Sequence, residues 1–178
     1  MAHESAPETP GAGARPPVLA LTGPTACGKS GLALHVAERF GGEIVNADSM
    51  QVYRDLHVLT ARPDAAAMAH IPHHLYGILT ARDPCSAARW RAMAEDAIAD
   101  IRARGRLPIL VGGTGLYLRA LLQGLVRVPE IPSEVRAWVR ACQTRQPPTS
   151  LHAELAARDP AMAERLHVTD TQRVARAL

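Results

Sequence analysis

Gly23-Pro24-Thr25-Ala26-Cys27-Gly28-Lys29-Ser30 is the stretch on which the reading of this chain turns. It matches G-x-x-x-x-G-K-[ST], the pattern of a loop that grips phosphate. The apolar run before it, Val18-Leu19-Ala20-Leu21, reads as a buried strand. The segment after it, Lys29 to Phe40, places Leu32, Leu34, Val36 and Ala37 at helical spacing and stops at Gly41-Gly42. Strand, glycine-rich turn and helix are the context that turns such a pattern into evidence. There the backbone N–H groups curl around phosphate oxygens, and the helix N-terminus adds partial positive charge. Lys29 is expected to neutralise a terminal phosphate, and the Ser30 hydroxyl to hold Mg²⁺. The plainer alternative is a glycine turn with no ligand. The loop predicts binding of a nucleotide or a pyrophosphate ester and leaves the reaction open.

Outward from the loop, strands and helices alternate. Ile44-Val45 reads as a second strand leading to Asp48, and Leu75 to Leu79 as a third. Ser86 to Arg104 reads as a long helix with Trp90, Met93, Ala94, Ala97 and Ile101 on one face. Leu107 to Val111 is a further buried strand ended by Gly112-Gly113, and a helix follows from Leu116 to Gln123. This order predicts an α/β fold: a P-loop NTPase-like, mostly parallel sheet with flanking helices, holding ligand at the strand carboxyl ends. After Gly124 the character changes. Val128-Pro129-Glu130-Ile131-Pro132 reads as a rigid linker, and helices are expected from Ser133, Ser150, Pro160 and Asp170. The expected organisation is a flexible tail over 1–16, a core domain over 17–125 and a small helical module over 126–178. The sequence stops at Leu178 within an amphipathic pattern and without a capping glycine. Open sheets of this kind usually hold more strands than the four read here, so the expectation is a fragment whose other half completes both regions.

Composition narrows the function. The 178 residues are 47% hydrophobic but only 3% aromatic, so a single-strand RNA binder built on aromatic stacking is disfavoured. The net charge of +3 is compatible with a polyanionic partner. Lys29 is the only lysine; a compact ammonium sits where arginine serves every other cationic position. Cys27, Cys85 and Cys142 are far apart, giving neither a disulfide framework nor a zinc site. His73 and His74 read as a structural loop, and Arg102, Arg104 and Arg106 as solvated partners of a helix end. Residues 1–16 lack an apolar leader core, and no apolar run is long enough to span a membrane, so a cytoplasmic protein is the default expectation.

The segment Asn46-Ala47-Asp48-Ser49-Met50-Gln51-Val52-Tyr53-Arg54 resembles the tRNA dimethylallyltransferases, also called isopentenyl-diphosphate:tRNA transferases. Thr60-Ala61-Arg62-Pro63, Ile71-Pro72-His73-His74-Leu75, Ser86-Ala87-Ala88-Arg89 and the run Leu107 to Tyr117 are similar to further blocks of that family, in family order. So is Asp170-Thr171-Gln172-Arg173-Val174-Ala175-Arg176-Ala177-Leu178. Departures are Cys27 for a usual Ser, Leu59 for Gly, Gly77 for Asp and Cys85 for an aromatic; none touches a proposed catalytic role.

The resemblance implies transfer of a dimethylallyl group from dimethylallyl diphosphate to N6 of the adenosine 3′ of the anticodon in tRNA, releasing diphosphate. The chemistry suits the residues. An exocyclic adenine amine is a poor nucleophile, and a carboxylate can orient it and take its proton. Asp48 is the candidate base; the alternatives are a Walker-type magnesium ligand or a turn-forming Asp. Gly23, Pro24, Thr25, Ala26, Cys27, Gly28, Lys29 and Ser30 would hold the donor diphosphate, with Mg²⁺ on Ser30. The target base must be flipped out to reach such a pocket. Asp48, Ser49, Met50, Gln51, Thr114, Arg136, Gln172, Arg173, Val174, Ala175 and Arg176 are the residues expected to contact tRNA. Gln172 also has a bland reading, because Thr169-x-x-Gln172 fits a capping box. A monomer is expected. The competing classes are a small-molecule kinase, disfavoured by the lack of an arginine-rich lid, and a non-catalytic nucleotide- or RNA-binding fragment.

Overall fold

The computed structural model describes residues 17–63, 65–126 and 131–178. The expected tail and most of the expected linker, Val128 to Glu130, lie outside them. In chain order the elements are β1 (Leu19–Leu21), α1 (Lys29–Phe40), β2 (Gly42–Asn46), a 3₁₀ turn (Arg54–Leu56), α2 (Ala65–His70), β3 (His73–His74), α3 (Ala87–Ala103), β4 (Leu107–Val111) and α4 (Gly115–Gln123). Then come α5 (Ser133–Arg145), α6 (Pro148–Arg158), α7 (Pro160–Arg165) and α8 (Thr171–Ala177). The chain divides into two compact units, one ending at Leu125 and the other beginning at Val126.

In the first unit a four-stranded parallel sheet runs in the order β1-β4-β2-β3. The central strands β2 and β4 are buried over nearly their whole length, as expected of parallel strands covered on both faces. Their alternation sorts the layers. Ile44, Ile109 and Val111 face Ala33 and Ala37 of α1, while Val45 and Leu110 face Ile98 and Ile101 of α3. Small residues on α1 let that helix lie close to the sheet. Ser86 caps α3 by accepting from the Arg89 N–H, and Trp90 of α3 stacks on Tyr117 of α4 with ring centroids 4.4 Å apart. The second unit is helical, with Leu151, Leu155, Ala163 and Val174 at its centre and Arg158 lying 4.9 Å from the ring centre of Trp138.

Four expectations are corrected. The third strand is His73–His74, not Leu75 to Leu79; the chain leaves the sheet at Leu75, a left-handed residue, and only Leu79 makes an isolated bridge, to Tyr53. His73 and His74 are therefore sheet, not loop. Helix α8 is capped by Asp170, which accepts from the Arg173 N–H, so Thr169 and Gln172 do not form a capping box. Arg104 and Arg106 do more than offset a helix end: they converge on Glu43.

Glu43 is 3% exposed at the amino end of β2. Arg104 donates to both of its carboxylate oxygens, at 2.7 and 3.2 Å; the His74 ring lies 2.7 Å away and Arg106 3.9 Å away. The Arg104 guanidinium holds the Glu43 carboxyl below its ordinary value against the opposing effect of burial, with His74 adding to the depression. A depressed carboxyl pKa contributes stability that is full above the ordinary carboxyl range and fades as pH falls through the lowered value. Glu43→Gln is therefore expected to flatten the acid limb of the stability curve below the ordinary carboxyl range, under about pH 5, read by urea denaturation. At neutral pH the same change is expected to cost on the order of 2 kcal/mol, the low side for a buried pair because the arginines are half-exposed.

Candidate active site

The loop after β1 enters α1 through Gly28, whose φ of 84° lies where a side chain is disfavoured. Gly28 provides no side-chain cap, so the first N–H groups of α1 face the cleft with no capping group of their own. Ala26 is also left-handed, at φ 64°. Lys29 folds back over the loop: its ammonium donates to the carbonyls of Gly23, at 2.8 Å, and Pro24, and lies 3.7 Å from the exposed Cys27 sulfur. The charge is thus held directly over the loop.

Asp48 follows β2, and a buried carboxamide shapes its turn. Asn46 is fully buried. Its side-chain oxygen accepts from the Asp48 N–H at 2.9 Å, and its Nδ2 donates to the carbonyls of Asp48 and Leu75 at 3.0 and 3.1 Å. The Asn46 carbonyl in turn accepts from the Trp90 indole at 2.9 Å. Asp48 Oδ1 accepts from the N–H groups of Met50, at 2.8 Å, and Gln51, at 3.4 Å. Among the described residues, Oδ2 makes no hydrogen bond. The carboxylate is therefore fixed through one oxygen and presents the other.

The strand beside it closes the floor. A side chain at Gly112 would place its Cβ 2.2 Å from the Ala47 carbonyl carbon and 2.7 Å from the Asp48 nitrogen, so only glycine fits. Two residues on, the Thr114 hydroxyl accepts from the Ser49 N–H at 2.9 Å and donates to the Ser49 hydroxyl at 3.3 Å. Both functions of that hydroxyl are engaged in strapping the two strand ends together. Gln51 donates its amide to the Thr60 carbonyl at 2.8 Å, pulling Thr60 and Ala61 over the cleft. The result is one cleft of about 330 Å³, bounded by Thr25 to Gly31, Asp48, Gln51, Thr60 and the Val111–Gly113 turn. Burial pushes the Tyr76 hydroxyl up, with the Asp48 charge adding to it. The Tyr117 hydroxyl is raised by burial and by its contact with Cys85, with a last, smaller part from Asp48. Both phenols stay neutral beside the carboxylate.

Asp48 and Gln51 thus share one cleft with Thr25, Ala26, Cys27, Gly28, Lys29 and Ser30. Gly23 and Pro24 contribute the carbonyls that hold Lys29. Met50 is half-exposed. A second cleft, wholly within the helical unit, brings together Arg136, Gln172, Arg173, Ala175 and Arg176. Val174 does not join them: it is fully buried against Leu151 and Leu155, so its side chain holds α8 in place and does not reach solvent. Sequence reasoning passed over Asn46 and Trp90. The visible signal for Asn46 was an amide two residues before the candidate base, a spacing at which Asn folds back on the backbone.

The comparisons with known proteins agree with one another. The family model described as IPP transferase matches residues 51–178, and the one described as Isopentenyl transferase matches residues 16–76. The tRNA dimethylallyltransferase of Rhodospirillum rubrum is 57% identical over 161 residues, covering 90% of this chain and 49% of that protein. That of Parvibaculum lavamentivorans is 55% identical over 158 residues, covering 89% and 50%. Among solved structures, the full-length tRNA isopentenylpyrophosphate transferase of Bacillus halodurans aligns with a TM-score of 0.61 at 37% identity, over 90% of this chain and 53% of that one. A eukaryotic dimethylallyltransferase acting on tRNA aligns with a TM-score of 0.74 at 31% identity, over 89% and 40%. The chain spans about half the length of the curated relatives it matches.

Because Asn46 satisfies three backbone groups from a fully buried position, Asn46→Ala is expected to lose about 2–3 kcal/mol of stability, measured by chemical denaturation. A loss below about 0.5 kcal/mol would contradict the clamp described above.

Proposed function

This chain belongs to the IPP transferase family, and on that premise we propose that it carries the chemical centre of a tRNA dimethylallyltransferase. The reaction moves the dimethylallyl group of dimethylallyl diphosphate to N6 of the adenosine 3′ of the anticodon. The single observation that supports it most is the placing of Asp48 in the same cleft as the phosphate loop. A proton acceptor and a diphosphate cradle within one cleft are what this substitution needs.

Asp48, fixed through Oδ1, offers Oδ2 to the exocyclic amine. As the N6–C1 bond forms and the C1–O bond of the donor breaks, the amine proton passes to the Asp48 carboxylate. The electron pair of the broken bond leaves on the diphosphate. Lys29, the Thr25 hydroxyl and the first N–H groups of α1 receive that charge. The donor set also suits Mg²⁺. Among the described residues no three His, Cys, Asp or Glu side chains converge on one point, so the ion would be held by Ser30 together with diphosphate oxygens and water. When bound, Mg²⁺ neutralises charge on the leaving diphosphate. Ser49, Met50 and Gln51, beside Asp48, contact the flipped-out base, and the Thr114 hydroxyl acts on them through Ser49. Arg136, Gln172, Arg173 and Arg176 contact the anticodon arm. No helix among the described residues is long and apolar enough to cross a membrane. A cytoplasmic, monomeric protein is the reading that goes with a tRNA-modifying enzyme.

Incubation with dimethylallyl diphosphate, Mg²⁺ and an anticodon stem-loop is expected to add the mass of one dimethylallyl group to the RNA. A non-catalytic fragment, the alternative raised by the half-length span, predicts binding of both ligands with no mass gain. Asp48→Ala is expected to lower transfer by at least about 10²-fold while leaving donor affinity nearly unchanged. Loss of donor affinity together with transfer would assign Asp48 to the metal.

A further inference from the structure

The sulfur of Cys27 and the ammonium of Lys29 converge on one point of the phosphate loop. Both side chains bend back over its start. Lys29 Nζ lies 2.8 Å from the Gly23 carbonyl oxygen and 3.7 Å from Cys27 Sγ. The sulfur also rests against Gly23, where an added Cβ would come within 3.2 Å of it. Of the three free cysteines Cys27 is the exposed one, while Cys85 and Cys142 are half-buried. Lys29 is the only lysine of the chain. The exposed thiol therefore touches the sole side-chain amine, and both line the cleft that holds Asp48.

A thiol and an amine placed this way share a reaction that neither has alone. A thiol that meets a peroxide becomes a sulfenic acid, and a sulfenic acid condenses with a nearby nitrogen. A serine at position 27 would have no such chemistry. The hydrogen bonds from Lys29 to the carbonyls of Gly23 and Pro24 keep the nitrogen beside the sulfur. Only Gly28 separates the two residues in the chain, so closing the ring costs little chain entropy.

We infer that a peroxide couples Cys27 to Lys29 through a sulfur–nitrogen bond, which closes the phosphate loop to anions, and that a thiol reopens it. In the first step an S–O bond forms as the O–O bond of hydrogen peroxide breaks. Sulfur gives up two electrons, and the second peroxide oxygen leaves as water. The Lys29 ammonium then gives one proton to water, and its freed lone pair attacks the sulfur. The S–N bond forms, the S–O bond breaks, and the hydroxyl departs with an amine proton as water. The product is a sulfenamide two hydrogens lighter than the starting protein. Two equivalents of thiol restore Cys27 and Lys29 and leave as a disulfide. While coupled, the nitrogen lacks the compact positive charge that the loop offers to a phosphate. The inference stands on the loop alone and goes beyond the transferase reading.

The test treats the whole chain with hydrogen peroxide and reads intact mass, a tryptic map and binding of inorganic diphosphate with Mg²⁺. The expected product has lost two hydrogens and yields a tryptic peptide that runs uncut through Lys29. Its diphosphate affinity should fall by at least about tenfold and return with dithiothreitol. Lys29→Arg should stop at the sulfenic acid, trapped by dimedone, without that mass loss. Cys27→Ser should keep after peroxide whatever diphosphate affinity it had before. Oxidation of Cys27 to a sulfinic or sulfonic acid, with Lys29 still cut by trypsin, would overturn the coupling. So would a disulfide to a second chain, or the same loss of two hydrogens in Lys29→Arg. A coupled product that binds diphosphate as tightly as the reduced protein would overturn the closure. No readout involves RNA or a prenyl group, so each of these failures leaves the transferase reading standing.

Discussion

The site depends on a contact between backbones at the carboxyl ends of the two central strands. Gly112, leaving β4, lies so close to Ala47, leaving β2, that no side chain can stand between them. One position on, a side chain at Gly113 would come within 3.2 Å of the Gly23 carbonyl. Three segments therefore meet with little but main chain between them: the phosphate loop, the Asp48 turn and the Gly112-Gly113 turn. Groups held this way need little rearrangement when charge develops, and that is how a protein stabilises a departing anion.

Strand β2 carries a buried polar group at each end. Glu43 at its start is met by Arg104, Arg106 and His74, and Asn46 at its finish by Asp48, Leu75 and Trp90. Polar groups in so dry a place are costly unless every partner is present, so each end admits one arrangement. A shift of β2 by one residue would strand both and turn its apolar side chains to the wrong helices. The strand that delivers Asp48 is thereby pinned in register at both ends. The stability of the sheet and the aim of the candidate base are two results of the same constraint.

Much of this was legible in the sequence because it is local. The loop, α1, β4 and the starts of α3 and α7 follow from patterns a few residues long, and the bounds of α1 and β4 agree residue for residue. The motif residues also pointed to a shared cleft, since strand ends in a parallel sheet lie together. What escaped was non-local. The Glu43–Arg104 pair spans 61 residues and the Trp90–Asn46 bond 44, and nothing in the pattern of either segment announces the other. The two-residue β3 escaped because it is too short to show a period. Val174 was misjudged for a related reason: a motif marks which residues recur together, and one of them recurs because it packs.

The two tryptophans fall one to each unit. Trp90 is fully buried, stacked on Tyr117 and bonded to the carbonyl that precedes the Asp48 turn; Trp138 is 39% exposed beside Arg158. The protein therefore carries its own pair of optical labels. One is a dry, rigid indole whose emission is expected toward the blue and which reports on the candidate site. The other is a wetter indole that reports on the helical unit. Replacing either one leaves a single-colour version in which each unit can be watched alone.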